Sequence, residues 1–364
     1  MRIALDAMGG DHAPEALVEG AVRAARELGI HVILVGDREI LLQHLQRYDT
    51  ENLPLSIKHA SEVVGMHESP SVAVRRKKDA SVRVAFQLVK AGEARAAVSA
   101  GNSGAAMAFA VLTLGRLPGV DRPAIAAVLP SLGGATVLLD VGANVECKPI
   151  HLVQFAVMGE VFSRYVLQVP RPRVGILSNG EEETKGTDLT RSAHAAMKHS
   201  SMNYLGYVEG RDIFAGTADV VVCDGFTGNA LLKSSEGLGQ AMAQIIREEM
   251  SRGVLPRMGY LLARRAFRRL KERMDYAEVG GAPLLGVNGV GIVAHGSSDA
   301  RAIRNAIRVA RDFAERRVNL HLTQMLEKHQ DLEAWASPKG RFWSQIRDRI
   351  MHSRREGKDK EEAE

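Results

Sequence analysis

The sequence predicts an α/β protein whose mostly parallel sheet is covered by helices on both faces. Three observations carry that expectation. Short β-rich runs alternate with helix-period patterns along most of the chain, the order that crossover βαβ units require. Glycine is abundant, 35 of 364 residues, and many glycines stand where an apolar run ends, as tight strand-to-helix turns demand. Hydrophobic residues make up 45% and charged residues 25%, enough for a sizeable core without the bias of a disordered, fibrous or membrane chain.

Taken in order, Ile3, Ala4 and Leu5 form an apolar run that stops at Gly9 and Gly10, and residues 14–28 follow with helical spacing. Residues 31–35 read as a strand, and Asp37 is placed to cap a helix through Arg47. Ala96, Ala97 and Val98 run into Gly101-Asn102-Ser103-Gly104 and an apolar helix to Leu114. Residues 125–129 and 135–139 read as strands, the second ending in Asp140-Val141-Gly142-Ala143-Asn144. A long helix is expected over 151–169. The run 174–177 ends in Ser178-Asn179-Gly180, followed by an acidic, threonine-containing stretch to Asp188 and another helix. Val220-Val221-Val222 ends in Asp224-Gly225-Phe226-Thr227-Gly228-Asn229, which opens a long helix. Residues 230–250 and 258–274 read as two helices broken at 253–256, hence a hairpin. No repeat or low-complexity linker precedes residue 336. Residues 1–335 are therefore expected to be one α/β domain carrying the hairpin at 230–275, with a charged tail over 336–364.

The net charge of +5 is unevenly placed. Between Arg252 and Arg273 stand eight Lys or Arg against one carboxylate, Glu272, and such a segment wants an anionic partner. An acidic protein or a phospholipid headgroup fits better than nucleic acid. With two Trp and 5% aromatic residues, the chain has no interleaved stacking platform. The N-terminus shows no apolar h-region before its first acid, so it does not read as a signal peptide. The longest apolar stretch, 105–114, is about half the ~20 residues a membrane span needs. Two cysteines, Cys147 and Cys223, imply no disulfide framework and suit a reducing cytosol.

In open α/β sheets, ligands bind where strands end and helices begin. Four such loops share one character: 101–104, 140–144, 178–188 and 224–229 are rich in Gly, Asn, Ser or Thr, and three run directly into a helix. Small residues admit a ligand to the backbone, amides and hydroxyls donate, and helix N-termini favour anions. One such loop is an ordinary turn; four together suggest an anion-binding cleft. Neither a Walker pattern nor a full Gly-x-Gly-x-x-Gly is present, which removes support for nucleotide or NAD. Lys185 is the one cation among Glu181, Glu182, Glu183 and Asp188: either a surface lysine neutralised by them or a point charge for a phosphate. Asn229 is by default an N-cap and otherwise an oxyanion donor. Cys223 closes an apolar run and belongs in the core. Cys147 has no sequence-adjacent histidine to activate it, so an acyl-cysteine route is not favoured. The histidines show no metal-ligand spacing; His12, His67 and His295 sit in loops and either border the cleft or, the commoner case, are scattered surface residues. No metal or other cofactor is called for.

These loops resemble those of the bacterial phosphate acyltransferases of phospholipid synthesis, the acyl-carrier-protein:phosphate acyltransferase family. The matching stretches are Asp6-Ala-Met-Gly-Gly-Asp11, Ala100-Gly-Asn-Ser-Gly-Ala105, Asp140-Val-Gly-Ala-Asn144, residues 178–188, residues 224–229, and Asn288-Gly-Val-Gly-Ile-Val-Ala-His-Gly-Ser-Ser298. The match covers about residues 1–330 and fades beyond 335. It implies a three-layer α/β/α fold similar to phosphotransacetylases and isopropylmalate dehydrogenases, working as a homodimer. It also implies the reaction: a long-chain acyl group passes from acyl carrier protein to inorganic phosphate. The acyl phosphate then feeds a membrane glycerol-3-phosphate acyltransferase. Lys185 and Asn229 would be catalytic under this resemblance. Gly101, Asn102, Ser103, Asn144, Asn179, Thr184, Thr187, Asp188, Thr227 and Gly228 would contact phosphate or acyl group. Arg257, Arg264, Arg265 and Arg268 would dock the acidic carrier. Val254, Leu255, Met258, Leu261 and Leu262 would seat a cytoplasmic enzyme shallowly and reversibly on anionic lipid. The neighbouring alternative is a phosphotransacetylase acting on a small acyl-coenzyme A. A metal- and NAD-dependent dehydrogenase of the same architecture would need clustered aspartates and a nucleotide site, neither of which is convincing in this sequence.

Overall fold

Runs such as Val220-Val221-Val222, β-branched and bounded by turn residues, become strands buried on both faces. The computed structural model describes residues 1–274 and 280–329, with the side chains of 270–274 excepted. The expected tail at 336–364, and the side chains of Leu270, Lys271 and Met274 in the expected hairpin, lie outside the described residues. The chain opens with β1 (Arg2–Asp6), α1 (Glu15–Leu28), β2 (His31–Gly36), α2 (Arg38–Leu45), β3 (Leu55–His59), α3 (Pro70–Arg76), α4 (Ser81–Lys90), β4 (Ala96–Ser99) and α5 (Ser103–Leu114). It continues through β5 (Ala124–Ser131), β6 (Gly134–Leu139), α6 (Pro149–Tyr165), β7 (Arg173–Leu177), α7 (Asp188–Met197), β8 (Asn203–Val208), α8 (Gly210–Ala215) and β9 (Val220–Val222). The last described elements are α9 (Gly225–Ser251), α10 (Val254–Met274), β10 (Ala282–Leu285), β11 (Gly291–Val293), α11 (Ala300–Glu315) and α12 (Val318–Lys328).

The strands form one sheet in the order β3-β2-β1-β4-β11-β10-β5-β6-β9-β7-β8. Alternate residues of each strand feed two cores. Ile3, Leu5, Val137 and Leu139 pack with Leu17, Phe155 and Phe313 on one face, while Ala4 and Leu138 pack with Phe86 and Phe109 on the other. The α/β class with helices on both faces is therefore as expected. The long helix anticipated to Val169 stops at Tyr165.

Every pairing is parallel except those made by β10 with β11 and β5, and by β5 with β6. The strands from β3 to β11 thus run one way and those from β6 to β8 the other. Register decides where the carboxyl ends fall. Ser99 pairs with Val293, Pro283 with Ile292, Leu284 with Ile125, and Ala126 with Leu139. Followed across the sheet, the last residue of β6 stands level with Ile292 and Val98, one residue short of the ends of β11 and β4. The two half-sheets are staggered, and their carboxyl ends point at each other past a shared line. A single loop-bearing edge, as a uniform parallel sheet would give, is replaced by this mouth between halves.

The hairpin differs from expectation in its boundaries. α9 starts at Gly225, before residue 230, and α10 starts at Val254, so the connection is only Arg252 and Gly253, the latter at φ +94°. Val254, Leu255 and Pro256 form the first turn of α10, where a proline forfeits no intrahelical bond. Leu255 and Leu262 are 84% and 85% exposed, so these apolar side chains are not buried under α9.

Candidate active site at the mouth between the half-sheets

On the second half, the mouth is organised by Asp140, fully buried just past β6. Its carboxylate accepts from the backbone N–H of Ile125 (3.0 Å), Ala143 (3.1 Å) and Asn144 (2.6 Å), and from Asn144 Nδ2 (3.0 Å). Burial raises this carboxyl above its ordinary range, and the four donors oppose that rise. The first turn of α9 packs directly on it: a Cβ at Gly228 would lie 2.0 Å from Asp140 O, which leaves room for glycine alone. Gly142, at φ +125°, carries the loop past the Asn229 side chain.

Asn229 is not the cap that its position suggested. Asp224 caps α9, accepting from Thr227 N at 2.9 Å, and Asn229 lies in the following turn. Most of the other expected contacts have side chains committed to local structure. Asn144 Nδ2 also donates to Pro123 O (2.7 Å), Thr227 Oγ1 donates to Asp224 (2.7 Å), and Asn179 Oδ1 accepts from Gly186 N (3.0 Å). Thr187 caps α7, and Asp188 pairs with Arg191 at 2.7 Å.

Lys185 and Asn229 are different. Among the described residues neither side chain makes a hydrogen bond or ion pair. Three of the four carboxylates expected to neutralise Lys185 are taken elsewhere, Glu183 by Lys198, Asp188 by Arg191 and Glu181 by Arg211 at 3.9 Å, while Glu182 stays beside Lys185 around Gly180 without an ion pair to it. The loops bearing Lys185 and Asn229 leave adjacent parallel strands, β7 and β9. An uncommitted ammonium and an uncommitted amide therefore share this end of the half-sheet.

The first half supplies the opposing wall. Buried Asp6 accepts from Ser99 Oγ at 2.6 Å, and Ser99 Oγ accepts from Gly101 N at 3.1 Å. Burial raises the Asp6 carboxyl, while Ser81, Ser99 and backbone amides pull it down. Asn102 caps α5 and donates from Nδ2 to Met66 O (2.9 Å) and Glu68 O (3.0 Å), so its side chain is also structural. Gly101, Asn102 and Ser103 thus lie across the mouth from the other predicted contacts. What joins the two walls is a contact absent from the sequence reading: Lys233 Nζ, on α9, stands 3.2 Å from His295 Nε2 after β11. The signal for Lys233 was its position four residues past Asn229, on the same helix face.

Cys223 is in the core as expected. Burial, reinforced by the Asp140 charge, pushes the Cys147 thiol up to about 12, so it is a thiol and not a thiolate near neutrality. No group of His, Cys, Asp or Glu among the described residues is arranged to hold a metal.

Two oppositely directed half-sheets with glycine-rich loops on a shared line make an α/β/α fold like that of phosphotransacetylases. A phosphotransacetylase from Streptococcus pyogenes superposes with a TM-score of 0.56 at 18% identity, over 86% of this chain and 94% of that one. A branched-chain phosphotransacylase from Enterococcus faecalis V583 gives 0.54 at 16% identity, over 86% and 99%. At such identity the likeness is one of fold. The chain belongs to the family described as fatty acid synthesis protein, whose model matches residues 1–321. Curated relatives named phosphate acyltransferase are 58% identical in Geotalea uraniireducens, over 91% of this chain and 96% of theirs, and 58% in Geobacter sulfurreducens, over 90% and 94%.

Proposed function

We infer that this chain transfers a long-chain fatty acyl group from an acyl-carrier-protein thioester to inorganic phosphate, giving acyl phosphate for phospholipid synthesis. The observation that carries the reading is the uncommitted pair Lys185 and Asn229 at the mouth of a chain 58% identical to phosphate acyltransferases. Phosphate is already a nucleophile, so no serine or cysteine relay is needed. Holding the dianion against a thioester carbonyl can itself lower the barrier by roughly 7–11 kcal/mol. Lys185 binds the phosphate, and Asn229 donates to the oxyanion of the tetrahedral intermediate. The test is phosphate-dependent release of free thiol from long-chain acyl carrier protein, run beside acyl-coenzyme A. Turnover with coenzyme A alone would return the chain to phosphotransacetylase chemistry. In the same assay Cys147→Ser is expected to stay within about twofold of wild type, since a half-buried neutral thiol is a poor nucleophile; a large loss would restore the acyl-cysteine route.

The hairpin is read as the docking element of a homodimer that works at the membrane surface. Arg257, Arg264, Arg265 and Arg268 are all on α10 and offer positive charge to an acidic carrier. Val254, Leu255, Met258, Leu261 and Leu262 are exposed around its first turns, and arginines flank them. No helix among the described residues is long and apolar enough to cross a membrane. Shallow seating on anionic lipid would bring the acyl phosphate to a membrane glycerol-3-phosphate acyltransferase. Vesicle flotation is expected to carry wild type with anionic lipid and to leave Val254→Asp/Leu255→Asp behind. Arg264→Glu/Arg268→Glu is expected to raise KM for the carrier substrate and spare that for phosphate. Flotation indifferent to both the aspartates and lipid charge would place the anchor elsewhere.

A further inference from the structure

The contact that bridges the mouth carries chemistry of its own. Lys233 Nζ stands 3.2 Å from His295 Nε2 and 2.9 Å from Glu236 Oε2, while His295 Nδ1 lies 2.8 Å from Ser297 Oγ. An ammonium only donates, so Nε2 is the accepting nitrogen and the ring hydrogen belongs on Nδ1, directed at Ser297 Oγ. The Ser297 amide N–H also points at Nδ1 from 3.2 Å, a weaker neutral contact that competes with, and yields to, the charged one at Nε2. The ring is exposed at the mouth, and its loop is tied down where Asp11 N donates to Gly296 O at 2.8 Å. Charged groups near it include Lys233, the Glu236 that Lys233 pairs with on α9, and Asp11 after β1, which lies beside Gly296. An imidazole oriented by a hydroxyl thus faces an ammonium that stands one helical turn past Asn229.

The inferred transfer has a proton to move. When hydrogen phosphate dianion attacks, an O–C bond forms and the C–S bond breaks, with its electron pair leaving on sulfur. The product keeps a surplus P–OH proton, and the thiolate lacks one. We propose that His295 Nε2 takes the phosphate hydroxyl proton and delivers it to the departing sulfur, while Lys233 shifts from the imidazole to a phosphate oxygen. The net change is one proton from phosphate to sulfur, with no oxidant or further reactant. This assignment rests on the phosphate-acyltransfer reading and adds the residues that move its proton.

Phosphate itself titrates near neutrality, so a pH profile alone does not isolate His295. The experiment is a split of turnover from both Michaelis constants, using acyl carrier protein and phosphate, on variants whose thermal midpoint matches wild type. His295→Gln, or His295→Asn should the first misfold, is expected to lose about 10²–10⁴-fold in kcat with both KM values within about threefold. Lys233→Met is expected to raise KM for phosphate at least about tenfold with KM for the carrier unchanged, and Lys233→Arg to recover most of it. Histidine variants within about threefold of wild-type kcat, or a Lys233→Met that weakens both substrates equally, overturn the relay. Wild-type protein that releases no thiol on phosphate addition refutes the transfer reading instead.

Discussion

Asn229→Ala is expected to lower phosphate-dependent turnover by about 10²–10³-fold, the usual cost of one oxyanion donor. The side chain touches nothing that holds the fold: no hydrogen bond anchors it among the described residues, and its neighbour across the loop is the bare backbone of Gly142. Alanine is also a better helix former than asparagine, so α9 should not suffer. The loss should therefore fall on kcat, with the thermal midpoint unchanged. Lys185→Ala should match it in size but act on KM for phosphate as well, because its ammonium meets the ground-state anion too. Steady-state kinetics on both variants would settle the matter; turnover near wild type in both would leave the mouth without its assigned chemistry.

Removing Asp140 should cost the protein its stability. Its carboxylate accepts from the backbone N–H groups of Ile125, Ala143 and Asn144, which draws β5 and the 140–144 loop together. Each donor left unsatisfied costs about 1–3 kcal/mol, and with the Ala143 and Asn144 amides only partly buried Asp140→Ala should fall in the lower half of the resulting range of roughly 3–9 kcal/mol. That is a large part of the ~5–15 kcal/mol by which domains are usually stable. Asp140→Asn should recover only part, because its amide NH₂ would face donors where a carboxylate offers a second acceptor. Urea unfolding followed by circular dichroism reads this directly. A midpoint unmoved by either substitution would show that the loop finds its acceptors elsewhere.

How much of this was legible follows from the range of each signal. Strands such as 220–222 and the cap Asp37, which accepts from Glu39 N and Ile40 N, are local and were readable from composition and spacing. The family motifs were readable too, since each is a contiguous loop. The reversal of strand direction was not. It depends on β10 and β11, short strands within the 282–293 stretch, and on β5 turning back beside β6 by a tight connection. Nor was the cap of α9, because Asp224 and Asn229 both suit a helix start and only backbone geometry chooses. His295 looked like a surface histidine because its partner Lys233 is 62 residues away in sequence. Lys185 was ambiguous for the same reason: the cations that occupy its acidic neighbours, Lys198 and Arg211, come from outside the loop.

The opposed half-sheets also set the range of the protein's own field. Helices that leave strands pointing in opposite directions cancel as dipoles over the whole molecule, yet their positive heads meet along one line. Not all of those heads remain positive: α9 and α11 are capped by Asp224 and Asp299, whose carboxylates offset them. α5 begins with neutral Asn102 and has no acid in its first turn, so its partial charge stands uncompensated. A charge pattern of this kind is closer to a quadrupole and fades fast, within about the ~8 Å Debye length of physiological salt. The helices can grip an anion that has already arrived at the mouth. Drawing an acidic partner from farther off is left to net charge on side chains, and the densest positive run of those sits on the hairpin.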